Sequence, residues 1–558
     1  MGENGPERQA SRRRPGPTAR RSLLILVPLA LLLAIGALVA EDGRPPAKSV
    51  AELCCDSAIE RVKGPGRWDP ERQVISFGNN TWSTGRCCAP LERAAEVDAD
   101  DPTPQSVDFD QMGLMGLEYT RVSVFPCLDV EGPYATDSAP WKQIYDTFVG
   151  EAAKRRVQVL PFLMQGLDCT EPVDTDANPY PDLGRLSKHN PPDHPEEYRD
   201  LGDAARKLAE WYAPWDEVAG LPRNRQPGQF WRRMWAEHGC TAGAPRCTYS
   251  EGGGEAQTIY YVPIRAWQIW NEPNIRASWG VPPGDDPSAD ERTTDINPVA
   301  YRKALFHARE GLRSVDPSAR VITAGVSGVT EDVTNDEDPD ATKKKLSARQ
   351  FIDAMLEDPT PRTRDAGDRY SCAFDAMAAH FYSLDGTPEG FAQHLRSNLR
   401  APLADALRRT RAVRPGEADA QLWITELGAP SAPSTKPSGL PPRPGEQGTA
   451  RKSRRSEARQ REWVKLALAE LTPGRRSRWR LGPTLHFNWL DWDNDIAGES
   501  FSSAGLWRAG GVPSSGRARL NPARPSALKP AGEHARDVAL EAEPIALPPV
   551  RCAGYTGI

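Results

Sequence analysis

The stretch that decides the fold is AWQIWNEPNIRASWG, residues 266–280. A short apolar run of strand-forming residues ends in Asn271, Glu272 and Pro273, with Trp267, Trp270 and Trp279 close by. A glutamate at the carboxyl end of a barrel strand points into the barrel mouth. Beside aromatic rings its charged form is poorly solvated, so its pKa is expected to rise and suit it to proton donation. A second stretch, LWITELGAPSA (422–432), has the same form and ends its strand in Glu426. Two glutamates 154 residues apart, each terminating a strand, could face one another across a barrel.

Working outward from these two strings, short β-rich runs alternate with longer segments of helical period. The strand candidates are VISFGN (74–79), EYTRVSVF (118–125), VQVLPFLM (157–164), RAWQIW (265–270), RVITAG (320–325), DAMAAHF (375–381), QLWITE (421–426) and LHFNW (485–489). Helices fit 141–155, 298–315, 348–357, 391–413 and 457–471. The second of these begins at Asn297-Pro298, an N-cap followed by proline at the first helical position, and buries one stripe from Tyr301 to Val315. Eight strands alternating with helices predict an α/β fold, a (β/α)8 TIM barrel. A doubly wound open sheet shares this grammar, but no glycine-rich phosphate loop follows an early strand.

The chain carries 53 prolines in 558 residues, nearly twice the usual share of about 5%. Much of the surplus falls in 166–195, 279–298 and 429–450, connections that leave strand carboxyl ends, so the barrel is expected to have long βα loops. The charged runs 330–345 and 451–461 read as a solvated loop and the exposed start of a helix. Four tryptophans of the long insertion 165–260, Trp211, Trp215, Trp231 and Trp235, lie in helical segments and are expected in the core.

Lys+Arg and Asp+Glu number 70 and 76, a net charge of −6 that gives no sign of nucleic-acid binding. Residues 1–21 form a basic tail with six arginines and two glutamates. The nineteen residues from Ser22 to Ala40 that follow carry no charge and would span about 28 Å as a helix, close to a bilayer core. They are expected to act as a transmembrane signal-anchor, or else as a cleaved signal peptide, with the arginines cytoplasmic and the remainder exported. A tether (41–70), a catalytic body (71–535) and a tail (536–558) complete the expected organisation. Ten cysteines suit an oxidising compartment, and Cys240 and Cys247 could close a short loop. No CxxC or HExxH occurs, so a zinc site is not expected.

Opposed carboxylates are what glycosidic cleavage needs, one protonating the departing oxygen while the other attacks the anomeric carbon or activates water. Each glutamate could instead cap a helix or pair with an arginine. On these motifs the chain resembles glycoside hydrolase clan A, retaining enzymes on a (β/α)8 barrel, with family 39 nearer in pattern and family 5 next. In that clan the fourth strand ends in Asn-Glu, matched by Asn271 and Glu272, and the seventh in the nucleophile, matched by Glu426. Arg121 in YTRVSVF, His380 and Tyr382 in AAHFYS, and Trp489 in HFNWLDWDND, with Trp492 its close rival, match further features in order.

The resemblance implies Glu426 as nucleophile and Glu272 as acid/base. It further implies Arg121 and Tyr382 stabilising the nucleophile's charge, Asn271 on the substrate 2-hydroxyl, His380 in a supporting hydrogen bond and Trp489 stacked on the sugar. It implies no metal or cofactor, and an oligo- or polysaccharide as partner. A transglycosylase would use the same glutamates. A silent carbohydrate-binding protein would not need the pair, and a surface interaction protein would present an apolar rim without a cleft. Sugar, linkage, endo or exo action and oligomeric state are not written in the motifs.

Overall fold

The computed structural model describes residues 77–80, 109, 112–113, 116–124, 140–164, 192, 195–215, 221–250, 253–275, 279, 296–327, 346–356, 373–382, 388–389, 392, 421–429, 449–471, 481–486, 506, 511–514, 517–520 and 529–541. Eight parallel strands close into a barrel. In chain order with their neighbours the elements are β1 (Phe77–Asn80), β2 (Tyr119–Val124), α1 (Pro140–Lys154), β3 (Gln158–Leu163), α2 (Pro195–Tyr212), α3 (Gln229–Glu237), β4 (Arg246–Tyr249), β5 (Gln257–Tyr260) and β6 (Ala266–Ile269). Then come α4 (Pro298–Arg313), β7 (Arg320–Ser327), α5 (Ala348–Leu356), β8 (Ala376–Tyr382), β9 (Gln421–Gly428), α6 (Thr449–Glu470), β10 (Leu481–His486), β11 (Gly511–Ser514), β12 (Arg517–Leu520) and α7 (Pro530–Glu541). The barrel order is β1-β2-β3-β6-β7-β8-β9-β10, with β10 pairing back onto β1. The hairpins β4–β5 and β11–β12 stand outside it.

All eight strand candidates fall on barrel strands. The eighth begins earlier than expected, the described strand running Leu481–His486, and Phe487 to Trp489 of the candidate lie outside the described residues. Gly482-Pro483 reads as a turn in one dimension. In the barrel, Gly482 is required because a Cβ there would lie 2.5 Å from Trp423 Cδ1, and the register against β9 shifts on either side of Thr484. The long basic helix also begins earlier than expected, at Thr449. The candidate helix 391–413 lies outside the described residues.

Two apolar regions hold the barrel. Inside it, Tyr119, Leu160, Ala266, Ile322, Ala376, Ala378, Trp423 and Leu485 fill the floor below the rim. Between strands and helices lies a larger layer, into which α4 sends Tyr301, Ala304, Leu305, Ala308 and Leu312. The N-cap of α4 forms as expected, the Asn297 side chain accepting from Ala300 N at 2.9 Å with proline next in sequence. In the insertion, Trp211, Trp231 and Trp235 are buried and Trp215 is half-buried, stacking on Tyr261 with ring centres 4.6 Å apart. The β4–β5 hairpin there was not foreseen. A Cys240–Cys247 disulfide, Cα atoms 5.5 Å apart, ties its first strand to the segment after α3.

Residues 22–40 lie outside the described residues, as do Trp489, Trp492 and the other eight cysteines. Among the described residues no helix is long and apolar enough to cross a membrane.

Candidate active site

Side chains alternate across a strand, so the inward face of β6 carries Ala266 and Gln268 while Trp267 and Ile269 face the helices. At Trp270 the chain leaves the sheet. Trp270 (φ 72°) and Glu272 (φ 42°) both adopt left-handed backbone, which non-glycine residues occupy at a cost of about 1–3 kcal/mol each. Two hydrogen bonds hold the strained turn: Trp270 N–H donates to Leu163 O on β3 at 2.7 Å, and Glu272 N–H to Gly325 O on β7 at 3.0 Å. The turn aims Asn271 and Glu272 at the barrel axis. Trp270 and Trp279 instead pack against each other and, through Trp279, on Tyr301 of α4. These two rings therefore pack toward α4.

A bulge brings the second carboxylate in. Opposite β8 the register runs Ala379↔Ile424 and then His380↔Glu426, so β9 has one extra residue at Thr425. Simple alternation after Trp423 would turn Thr425 inward and Glu426 outward. The bulge re-aims the chain so that both reach His380. His380 Nε2 is 3.0 Å from Thr425 Oγ1, and its Nδ1 is 2.9 Å from Glu272 Oε1 and 3.4 Å from Glu426 Oε2.

Arg121, wholly buried on β2, organises the opposite side. Its Nη1 donates to Glu426 Oε1 at 2.5 Å, Nη2 to Asn271 Oδ1 at 2.6 Å and Nε to Gln268 Oε1 at 2.5 Å. The guanidinium carbon sits 4.0 Å from the centre of the Phe162 ring. One rigid fork thus fixes residues from two other strands, a task lysine's single ammonium cannot perform. Tyr382 places its ring edge-on to His380, centres 6.4 Å apart.

Charges in this dry pocket are shifted in opposite directions. Burial pushes the Glu426 carboxyl above its ordinary range; His380 and Arg121 pull it back, and neighbouring Glu272 raises it further. Burial drives His380 down to about 3, against the pull of Glu426, with Arg121 adding to the depression. The imidazole is therefore neutral through the ordinary working pH range.

Sequence reasoning missed four residues of this site. Gln268 accepts from Arg121 and, through Nε2, donates to Thr323 O at 3.1 Å and Thr425 Oγ1 at 3.2 Å. A polar residue inside an otherwise apolar strand was the available signal. Thr425 gave none beyond adjacency to Glu426. Gly325 leaves room for His380, since a Cβ there would lie 1.9 Å from Nε2. Tyr301 lies on a helix, but its hydroxyl donates to Ile269 O at 2.9 Å and accepts from Ala324 N–H at 2.5 Å. It thereby satisfies backbone groups freed where β6 ends and where the β7 register shifts between Ile322 and Gly325.

Glu272, His380 and Glu426 can each offer an atom within 4.8 Å of the others, the spacing of a possible metal site. The donor set does not favour that use. The Arg121 guanidinium already occupies one Glu426 oxygen and holds a permanent positive charge where a dication would add its own. Two carboxylates sharing a neutral imidazole are better suited to proton transfer and nucleophilic attack.

No family model matches the chain, and no curated protein matches it. Similar solved structures include the exo-beta-1,4-mannosidase Op5Man5 from Opitutaceae bacterium strain TAV5, at 12% identity and TM-score 0.42 over 83% of this chain. A family 39 glycoside hydrolase from the gut symbiont Bacteroides cellulosilyticus WH2 gives 12% identity and TM-score 0.41 over 85%. A beta-glucosidase from Thermotoga maritima gives 10% identity and TM-score 0.42, with 83% of this chain and 97% of that one covered. The match spans 59% of the mannosidase and 65% of the family 39 enzyme, less than two thirds of either.

Proposed function

We propose that this protein is an O-glycosyl hydrolase that cleaves a glycan with retention of anomeric configuration, Glu426 acting as nucleophile and Glu272 as acid/base. The observation that carries the reading is the pairing of these carboxylates from the fourth and seventh barrel strands, each with an atom within 4.8 Å of the other and of His380. Retaining glycosidases hold their two carboxyl groups roughly 5–5.5 Å apart, whereas inverting ones leave about 6.5–9.5 Å for a water.

In the first step a Glu426 oxygen attacks the anomeric carbon as the bond to the leaving oxygen breaks, and Glu272 gives that oxygen its proton. In the second, Glu272 takes a proton from water, whose oxygen displaces Glu426 and restores the carboxylate. Arg121 holds Glu426 Oε1, leaving Oε2 as the attacking atom. Because Asn271 Oδ1 accepts from Arg121, its Nδ2 is the donor for a substrate 2-hydroxyl oxygen, a contact that strengthens as positive charge develops on the ring. Tyr382 would add a hydroxyl beside the nucleophile, and Trp489 or Trp492 a stacking face for the sugar.

The basic tail and the apolar run 22–40 support an exported catalytic body, tethered to the membrane or released by cleavage. Membrane fractionation with amino-terminal sequencing of the mature protein separates the two forms. The catalytic reading is tested with an activated 2-fluoro glycoside chosen from a panel of aryl glycosides that the wild-type protein turns over. It should label Glu426 covalently, and Glu426→Ala should abolish turnover. Labelling elsewhere, or full activity in the variant, overturns the reading.

A further inference from the structure

Between the two glutamates stands a single nitrogen, His380 Nδ1, with Glu272 Oε1 at 2.9 Å and Glu426 Oε2 at 3.4 Å. Ionised Glu426 can only accept, so Nδ1 must carry hydrogen to interact favourably with it. A neutral imidazole has only one N–H, which leaves Nε2 as an acceptor.

The surroundings of Nε2 fit that assignment independently. Arg121 can only donate, so Gln268 must turn Oε1 toward it and Nε2 away. Gln268 Nε2 then donates to Thr323 O and Thr425 Oγ1. The Thr425 hydroxyl, receiving that bond, has its own hydrogen to give to His380 Nε2 at 3.0 Å. Gly325 lies against the same side of the ring, where nothing larger fits. Among the described residues, the charged groups around the imidazole include Arg121 on β2, Glu272 after β6 and Glu426 on β9.

We propose that Gln268 and Thr425 are positioning residues that fix His380 as an Nδ1–H donor, and that this hydrogen, held in the ring plane between the two glutamates, serves whichever of them carries the negative charge during turnover. The inference rests on the two-glutamate reading above. Before attack Glu426 is anionic and draws on the hydrogen across 3.4 Å, while protonated Glu272 accepts it through its carbonyl oxygen Oε1 at 2.9 Å. Once Glu426 is esterified and Glu272 has given up its proton, the negative charge is on Glu272 and the bond to its Oε1 strengthens. No proton leaves His380 in either state. One ring N–H thus serves whichever carboxylate is charged, without rotation of the imidazole.

The test joins spectroscopy to kinetics. In protein labelled with nitrogen-15 histidine, His380 should show a protonated Nδ1 and a bare Nε2 at every pH where the fold persists above about 4, with no imidazolium signal. The opposite tautomer, or an imidazolium near neutral pH, overturns the proposal, and this readout does not depend on turnover. Thr425→Val keeps the shape and removes the hydroxyl. It should lower kcat/KM by about 10-fold or more, as expected when a buried acceptor loses its donor. It should also move the acid limb of the pH profile, set by Glu426, to higher pH, because a misaligned imidazole no longer bonds the carboxylate. Thr425→Ser should restore both. A folded Thr425→Val variant with an unmoved limb and wild-type kcat/KM overturns the proposal while leaving Glu426 labelling, and hence the glycosidase reading, intact. Failure of the 2-fluoro glycoside to label Glu426 in the wild type would instead remove the reading beneath it.

Discussion

Arg121 Nη1 lies 2.5 Å from Glu426 Oε1, although 305 residues separate the two in the chain. Both are essentially out of contact with water, so the pair is held by geometry and by the further bonds of the guanidinium to Asn271 and Gln268. Arg121→Met should therefore leave Glu426 buried without its guanidinium partner, a change that costs about 3–5 kcal/mol of stability in comparable sites. The same variant should raise the pKa of Glu426 and move the acid limb of activity upward. Urea unfolding and a pH–rate profile check both. Arg121→Lys should recover part of the stability but little of the rate, because one ammonium cannot reproduce three directed bonds.

The depressed pKa of His380 makes a signed prediction for stability. The group falls from its ordinary 6.5 to about 3 on folding, so between these values the unfolded chain binds a proton that the native protein does not. Its contribution to stability is complete above 6.5 and is lost progressively as pH falls toward 3. Glu426 has the opposite sign: its raised pKa gives stability that is present below 4.5 and lost as pH rises through the folded value. Replacing His380 with Asn should flatten the difference in unfolding free energy between pH 6.5 and pH 4 relative to wild type. An unchanged difference would show that His380 titrates normally in the fold.

Two glycines that look alike in sequence should behave differently. A Cβ at Gly325 would lie 1.9 Å from His380 Nε2, and one at Gly482 would lie 2.5 Å from Trp423 Cδ1. Overpacking of this kind costs about 1–3 kcal/mol. Gly325→Ala should lose that stability and most of its kcat, because His380 is displaced. Gly482→Ala should lose stability with a smaller effect on kcat, since Trp423 lies in the barrel floor below the glutamates. Thermal melts and steady-state kinetics on both variants provide the comparison.

The hydroxyl of Tyr301 is the fourth point of test. Tyr301→Phe removes the partner of Ile269 O and of Ala324 N–H, both buried. The expected loss is about 1–3 kcal/mol, from two unpaired backbone groups at the root of the Glu272 turn. A fall in kcat of several-fold should accompany it, as Asn271 and Glu272 lose their fixed base. Equal unfolding midpoints would show that water replaces the hydroxyl.

Much of this site could be read from one dimension because its parts sit where strands end. IWNEP and ITELG are strand termini carrying acids, and eight strands alternating with helices, with no glycine-rich phosphate loop after an early strand, favour a barrel whose strand ends converge. The α4 helix was legible down to its cap for the same reason: Asn297 and Pro298 act within a few residues of themselves. The start of the eighth strand was missed because Gly482 and Pro483 serve a distant Trp423 and an irregular register, neither of which leaves a local mark.

The amino-acid sequence by itself determined which strands exist and which acids stand at their ends. Local propensity and periodicity depend only on near neighbours, and those are all present in the chain. Which way each acid faces was decided by the tertiary structure. The extra residue at Thr425 turns Glu426 inward against the alternation of its own strand, and left-handed backbone at Trp270 and Glu272 turns the other carboxylate to meet it. Both distortions are held by groups far away in sequence: His380 on β8, Gly325 on β7 and Leu163 on β3. A strained turn or a bulge persists only where partners compensate it, and closing the barrel is what brings those partners within reach.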